Sequence, residues 1–268
     1  MSNNRPIGFL DSGVGGLTVV KEAMKQLPNE TVYYLGDTLR CPYGPRPVEE
    51  IKQFTWEMTR FLLSKDIKML VIACNTATAV ALEEIKAELN IPVVGVIIPG
   101  ARAALKLTNT HRVGVIGTVG TINSGEYTKA IQRKAPKTEV FGLACPKFVP
   151  IVESKQYESA IAKKVVDETL EAFNDKNVDT LVMGCTHYPL LKPLIKEKMG
   201  PTVKLIDSGA ETVTEVSMLL DYYDISADAS NKNEEHQFFM TGSKKLFEDI
   251  THDWLNLDKI SVNRITLP

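Results

Sequence analysis

Two segments of this chain run the same course 111 residues apart. Leu70-Val71-Ile72-Ala73-Cys74-Asn75-Thr76 is matched by Leu181-Val182-Met183-Gly184-Cys185-Thr186-His187. In each, a short apolar run ends in a cysteine followed by small polar residues. A second match precedes it in the same order. Ile7-Gly8-Phe9-Leu10-Asp11-Ser12-Gly13 resembles Val113-Gly114-Val115-Ile116-Gly117-Thr118-Val119, at an offset of 106. Two ordered matches at nearly one offset predict two halves of like fold.

The segments between fit that expectation. Apolar strands are predicted at 7–11, 31–35, 69–73 and 93–98, then 113–116, 139–143, 180–183 and 203–206. Helical patterns fill the intervals at 17–26, 48–64 and 76–88, then 124–133, 157–173 and 189–198. A tail adds a helix over 211–220, a strand over 237–240, a short helix over 244–250 and a strand over 262–265. Strands apolar on both faces, alternating with helices, predict parallel sheets covered on each side. The fold class expected is therefore α/β: two similar doubly wound domains with mainly parallel central sheets, related by pseudo-twofold symmetry, with the active site between them. The first domain is expected to span 1–98 plus 207–268 and the second 99–206, the series restarting after Pro99-Gly100. Polar, aperiodic Ser226 to Glu235 reads as a surface loop.

Composition narrows the function classes. The chain has 268 residues, enough for two domains. Its net charge of -2 supplies no global attraction for nucleic acid or an anionic membrane. No apolar run is long enough to span a bilayer, and Met1 to Pro6 has no apolar signal region, so a cytoplasmic protein is expected. The four cysteines show no Cys-x-x-Cys spacing, which gives no metal site and, in a reducing cytosol, no disulfide framework.

Cys74 and Cys185 each stand at the carboxyl end of a strand, the edge at which open α/β sheets bind ligands. The helix beyond offers free N–H groups and a partial positive charge, which favours a thiolate. Two thiols facing one cleft suit racemisation: one takes the Cα proton and the other returns a proton to the opposite face. Asn75, Thr76, Thr186 and His187 supply amide, hydroxyl and imidazole groups beside them. His187 is also a proton-transfer partner for Cys185.

Other motifs admit more than one reading. Asp11-Ser12-Gly13-Val14-Gly15-Gly16 lies between strand and helix, but lacks phosphate-loop spacing. Asp11 can bind an ammonium group, assist a thiol, or merely cap the next helix. In Gly36 to Gly44, Tyr43 and Gly44 offer a hydroxyl and main-chain N–H groups to a carboxylate, or form an ordinary turn. Glu153 begins a helical region and by residue type alone is a solvated carboxylate. Cys41 and Cys145 have no partner in the repeat and read as structural.

At these residues the chain resembles the bacterial glutamate racemases, of the aspartate/glutamate racemase superfamily. Phe9 to Gly16, Gly36-Asp37-Thr38 with Pro42-Tyr43-Gly44, Ala73 to Ala77, Gly184 to Leu190 and Ile206-Asp207-Ser208 carry the likeness. The resemblance implies direct proton transfer between L- and D-glutamate without pyridoxal phosphate or metal, the D-glutamate feeding peptidoglycan synthesis. It implies Cys74 and Cys185 as the acid/base pair, with Asp11, His187 and Glu153 assisting. Asp11, Ser12, Tyr43, Gly44, Asn75, Thr76, Thr186 and His187 would hold the substrate; Cys41 carries no role over. The partners expected are glutamate and, at most, a second copy in a homodimer. Some members carry an amino-terminal extension linked to activation by a cell-wall precursor; with the first strand at Ile7, no such activation is expected. The competing readings are an aspartate or hydantoin racemase, a nucleotide- or sugar-binding α/β protein with structural cysteines, and a Cys185-His187 hydrolase.

Overall fold

The structure, a computed structural model, describes residues 3–228, 235–256 and 261–268. Its first half runs β1 (Ile7–Asp11), α1 (Leu17–Gln26), β2 (Val32–Gly36), α2 (Val48–Leu63), β3 (Met69–Ile72), α3 (Asn75–Glu88), β4 (Val93–Gly95) and α4 (Ile97–Leu107). Its second half runs β5 (Arg112–Gly117), α5 (Val119–Ser124), α6 (Glu126–Lys134), β6 (Glu139–Ala144), α7 (Phe148–Glu153), α8 (Ala160–Leu170), β7 (Thr180–Gly184), α9 (Lys192–Met199) and β8 (Lys204–Asp207). Then come α10 (Ser208–Tyr222), β9 (Gln237–Met240), α11 (Lys244–Leu255) and β10 (Ser261–Arg264). Single 3-10 turns occupy Glu171–Phe173 and Tyr188–Leu191.

The strands form two sheets, ordered β10-β9-β2-β1-β3-β4 and β6-β5-β7-β8, and their pairs run parallel. The order β2-β1-β3-β4 in the first sheet recurs as β6-β5-β7-β8 in the second. Register extends the match: Leu10 pairs with Ile72, and Ile116 with Met183. Each cysteine of the repeat follows two residues beyond its paired position. The central strands β1, β3 and β7 are buried along their whole length, as strands covered on both faces must be. Only the first sheet is widened, by β9 and β10.

Several sequence expectations are corrected. Val93 to Ile98 is not all strand; it ends at Gly95, and Ile97–Leu107 is a helix that the apolar run concealed. Pro99 sits in that helix's first turn, where its missing N–H costs nothing. Gly100 lets α4 lie close to its neighbours: a Cβ there would stand 3.0 Å from Ser208 Cβ and 3.3 Å from Tyr127 Oη. The helix predicted over 124–133 is two, broken at Gly125, whose φ of +68° lies in the left-handed region. The helix predicted over 157–173 is shorter, starting at Ala160 with Ser159 as its cap. Glu153 ends α7 rather than beginning a helical region. The loop read at Ser226 to Glu235 lies for the most part outside the described residues.

Candidate active site

The carboxyl ends of the strands bring the chemistry together. From the first half come Asp11 at the end of β1 with Ser12 after it, Cys41 to Gly44 after β2, and Cys74 to Thr76 after β3. From the second come Thr118 after β5 and Gly184 at the end of β7 with Cys185 to His187 after it. Ser12, Tyr43, Gly44, Asn75, Thr76, Thr118, Thr186, His187 and both repeat cysteines line one small cavity. A larger cavity, about 530 Å³, lies against Lys68, Leu89, Pro92, Glu215, Leu219 and Tyr223. It gathers no thiols, whereas the small one brings thiols and an imidazole together, groups suited to proton transfer.

The two thiols have different surroundings. Cys74 caps α3: its Sγ accepts the Ala77 N–H at 3.4 Å and lies 3.6 Å from Ser12 Oγ. Cys185 Sγ lies 3.7 Å from His187 Nδ1, and His187 Nε2 lies 3.1 Å from Glu153 Oε1. Asp11 is fully buried; its carboxylate accepts from the Gly13 N–H at 3.0 Å and the Thr186 hydroxyl at 3.3 Å. Asp11 therefore holds the loop that leads into α1 and also faces the second half.

Burial pushes the Cys74 thiol up to about 12 and the Asp11 charge adds to this, against the pull of the Ala77 N–H and Ser12. The N–H bond expected at the helix start exists and favours the thiolate, but desolvation opposes and outweighs it. Burial likewise pushes the Asp11 carboxyl up, opposed by His187 and the Gly16 and Gly13 N–H groups. At His187 burial disfavours the charged ring, yet Cys185 and Glu153 together raise it to about 10. Burial works against the Glu153 carboxylate too, but His187 and Cys41 hold it below its ordinary range. The second end thus carries an imidazole between a sulfur and a carboxylate, both of which favour its charged form.

The Gly13 to Gly16 loop is not a phosphate cradle. A Cβ at Gly15 would collide with Thr186 and His187, so glycine is needed there for close approach. The Tyr43 hydroxyl is also corrected: it donates to Asp37 Oδ2 at 2.5 Å and is committed there. Asp37 accepts as well from Arg40 at 2.6 Å and Thr241 at 2.8 Å, which fixes the loop carrying Tyr43 and Gly44. Gly44 lines the cavity with main chain, and its carbonyl accepts the Gly120 N–H of α5 at 3.0 Å.

Three groups escaped the sequence reading. Thr118 and Thr121 stand within 3.2 Å of Thr76 Oγ1, forming a ring of hydroxyls across the two halves. The repeat could have found Thr118, since it matches Ser12. The Tyr127 hydroxyl donates to Asn75 Oδ1 at 2.7 Å, leaving the buried Asn75 Nδ2 without a hydrogen-bond partner. An unsatisfied donor on a cavity wall is a place for an acceptor. Cys41, read as structural, instead lines the cavity and donates to Glu153 Oε1 at 3.4 Å. Cys145 is buried in the core beneath, as expected.

Parallel α/β halves with paired strand-end thiols define an architecture suited to racemases, and comparison with known proteins bears on it directly. The Asp/Glu/hydantoin racemase family model matches residues 15–216, and the chain belongs to that family. A glutamate racemase of Enterococcus faecalis is 64% identical over 267 residues, covering 100% of this chain and 98% of the relative. A glutamate racemase structure from Bacillus anthracis superposes with a TM-score of 0.96 at 47% identity, covering 99% of each chain. Glutamate racemase from Francisella tularensis, solved with D-glutamate, gives a TM-score of 0.91 at 36% identity, covering 98% of each.

Proposed function

We propose that this chain is a glutamate racemase, interconverting L- and D-glutamate by proton transfer between Cys74 and Cys185. The observation that carries the reading is the pair of sulfurs at matched strand ends on one enclosed cavity. The full-length likeness to glutamate racemases supports the choice of substrate.

One cysteine sulfur, as thiolate, takes the Cα proton, and the Cα–H bond becomes an S–H bond. The opposite thiol gives its proton to the other face of Cα and becomes the thiolate. In the reverse direction the roles exchange. Cys74 rests protonated and is poised as the acid. His187, held by Glu153, serves proton movement at Cys185. Asp11, beside Ser12 and Cys74, serves the first end and can accept from the substrate ammonium. Asn75 Nδ2 and Ser12 are donors for the α-carboxylate, and the Thr186 hydroxyl, which donates to Asp11, stands beside them. Thr76 and the main chain at Tyr43 and Gly44 suit the side-chain carboxylate. The Ser12, Asn75, Thr76 and Thr186 side chains are buried, so these positioned donors stabilise the planar, negatively charged transition state strongly.

Residues 1–98 plus 207–268 would carry the Cys74 side and 99–206 the Cys185 side. D-Glutamate from a cytoplasmic enzyme would supply peptidoglycan synthesis, and a homodimer is the assembly to test by sedimentation. Among the described residues no helix is long and apolar enough to cross a membrane.

The deciding experiment incubates the protein in deuterium oxide with each enantiomer of glutamate, aspartate and a hydantoin. Racemisation of glutamate with deuterium entering Cα is expected. Absence of exchange would refute proton abstraction, and preference for aspartate would move the substrate assignment within the family.

A further inference from the structure

Cys41 stands outside the repeat, yet it reaches the Cys185 end of the site from the other half of the molecule. Its Sγ donates to Glu153 Oε1 at 3.4 Å, the same oxygen that lies 3.1 Å from His187 Nε2. One carboxylate oxygen thus gathers a donor from the loop after β2 and one from the segment after β7. The Gly13 main chain packs beside both partners: a Cβ there would stand 2.9 Å from Cys41 Sγ and 3.5 Å from Glu153 Oε1. The thiol therefore has a confined place, with the Glu153 oxygen within its reach.

We propose that Cys41 is a positioning residue for the racemisation: its S–H holds the Glu153 carboxylate on His187 and so fixes the imidazole ring that serves Cys185. The role rests on the racemase reading only in naming the reaction served.

The charged and titratable groups around this contact agree with the role. Cys41 faces Glu153, with Asp11 and Cys74 nearby; His187 faces Cys185, Glu153 and Asp11. Burial, then the negative charges of Glu153 and Asp11, push the Cys41 thiol far above its ordinary range, so it keeps its proton. A thiol that stays protonated is a poor nucleophile and a standing donor. Glu153 is half-exposed at its side chain, 36%, so without a second anchor its carboxylate is free to turn toward water.

The test uses the full chain as wild type, Cys41→Ala and Cys41→Ser. The first readout needs no substrate: the His187 ring is titrated by nitrogen NMR. Cys41→Ala is expected to bring the His187 titration down from about 10, because the carboxylate is no longer held against the ring. Cys41→Ser, which keeps a donor, is expected to restore it. The second readout is kcat and KM with both glutamate enantiomers. Hydrogen bonds to charged groups are the stronger kind but S–H is a weak donor, so kcat should fall roughly three- to tenfold in Cys41→Ala with KM little changed. The serine variant should recover most of that loss. Unchanged His187 titration in Cys41→Ala overturns the proposal, as does an equal change in both variants, which would mark a packing role only. Failure of the wild type to turn over glutamate would strike the substrate assignment while leaving the His187 titration to decide the role of Cys41.

Discussion

The two halves share a strand order and place a cysteine at the same point, but the cysteines are wired differently. Cys74 is a buried thiol pushed up to about 12, with a hydroxyl, a helix N–H and a buried carboxyl as neighbours. Cys185 stands beside an imidazole that is itself braced by Glu153. Backbone repetition therefore supplies the geometry of a two-sided reaction, and side-chain divergence supplies its chemistry. The equilibrium between enantiomers is one-to-one by symmetry, yet the protein that serves it is not symmetric.

The largest expected effect comes from removing either end. Cys74→Ser and Cys185→Ser should each lower racemisation by at least about 10³-fold, the scale of a positioned acid or base. In deuterium oxide each variant should still exchange the Cα hydrogen of one enantiomer, and the two variants should choose opposite enantiomers. Exchange of the same enantiomer by both would break the comparison.

His187→Gln touches one end only. A loss of roughly 10²-fold in kcat is expected, and a wild-type rate would show that Cys185 works without its neighbour. Glu153→Gln should cost less, about tenfold, as a single charged hydrogen-bond partner does. Removing the negative charge should also move His187 below about 10, so the alkaline limb of the pH–rate profile shifts to lower pH. An unmoved limb would sever Glu153 from the relay.

The smallest effect is on stability. The folded His187 is raised from 6.5 to about 10. Its contribution is complete below the unfolded value and is lost as pH rises through the folded one. The melting temperature of the wild type should therefore drop between pH 7 and 10 more steeply than that of His187→Gln. Parallel curves would mean that the ring is not charged in the fold.

What the sequence disclosed depended on range. β1, β3 and β7 are continuous apolar runs with turn residues after them, and local pattern suffices for those. Cys74 and Cys185 became legible through their repetition. The helix at Ile97–Leu107 stayed hidden because an apolar helix and a buried strand look alike over a few residues. The resting state of Cys74 is not legible because the helix field is written locally, while its burial and the nearness of Asp11 are set by distant segments. The Tyr43–Asp37 bond and the Cys41–Glu153 contact are side-chain matters that no periodicity records, the latter joining residues 112 apart.

Gly15 has a bearing on how protons travel. The loop backbone lies so close to His187 that no side chain fits between them, while Cys185 and Glu153 hold two points of the ring. The imidazole is a fixed post rather than a swinging arm. A carrier that cannot pivot cannot visit both sulfurs in one cycle. In the proposed reaction, proton traffic at Cys74 would then run through its own neighbours, Ser12 and Asp11, and the two enantiomers would be served by separate exits with no common courier.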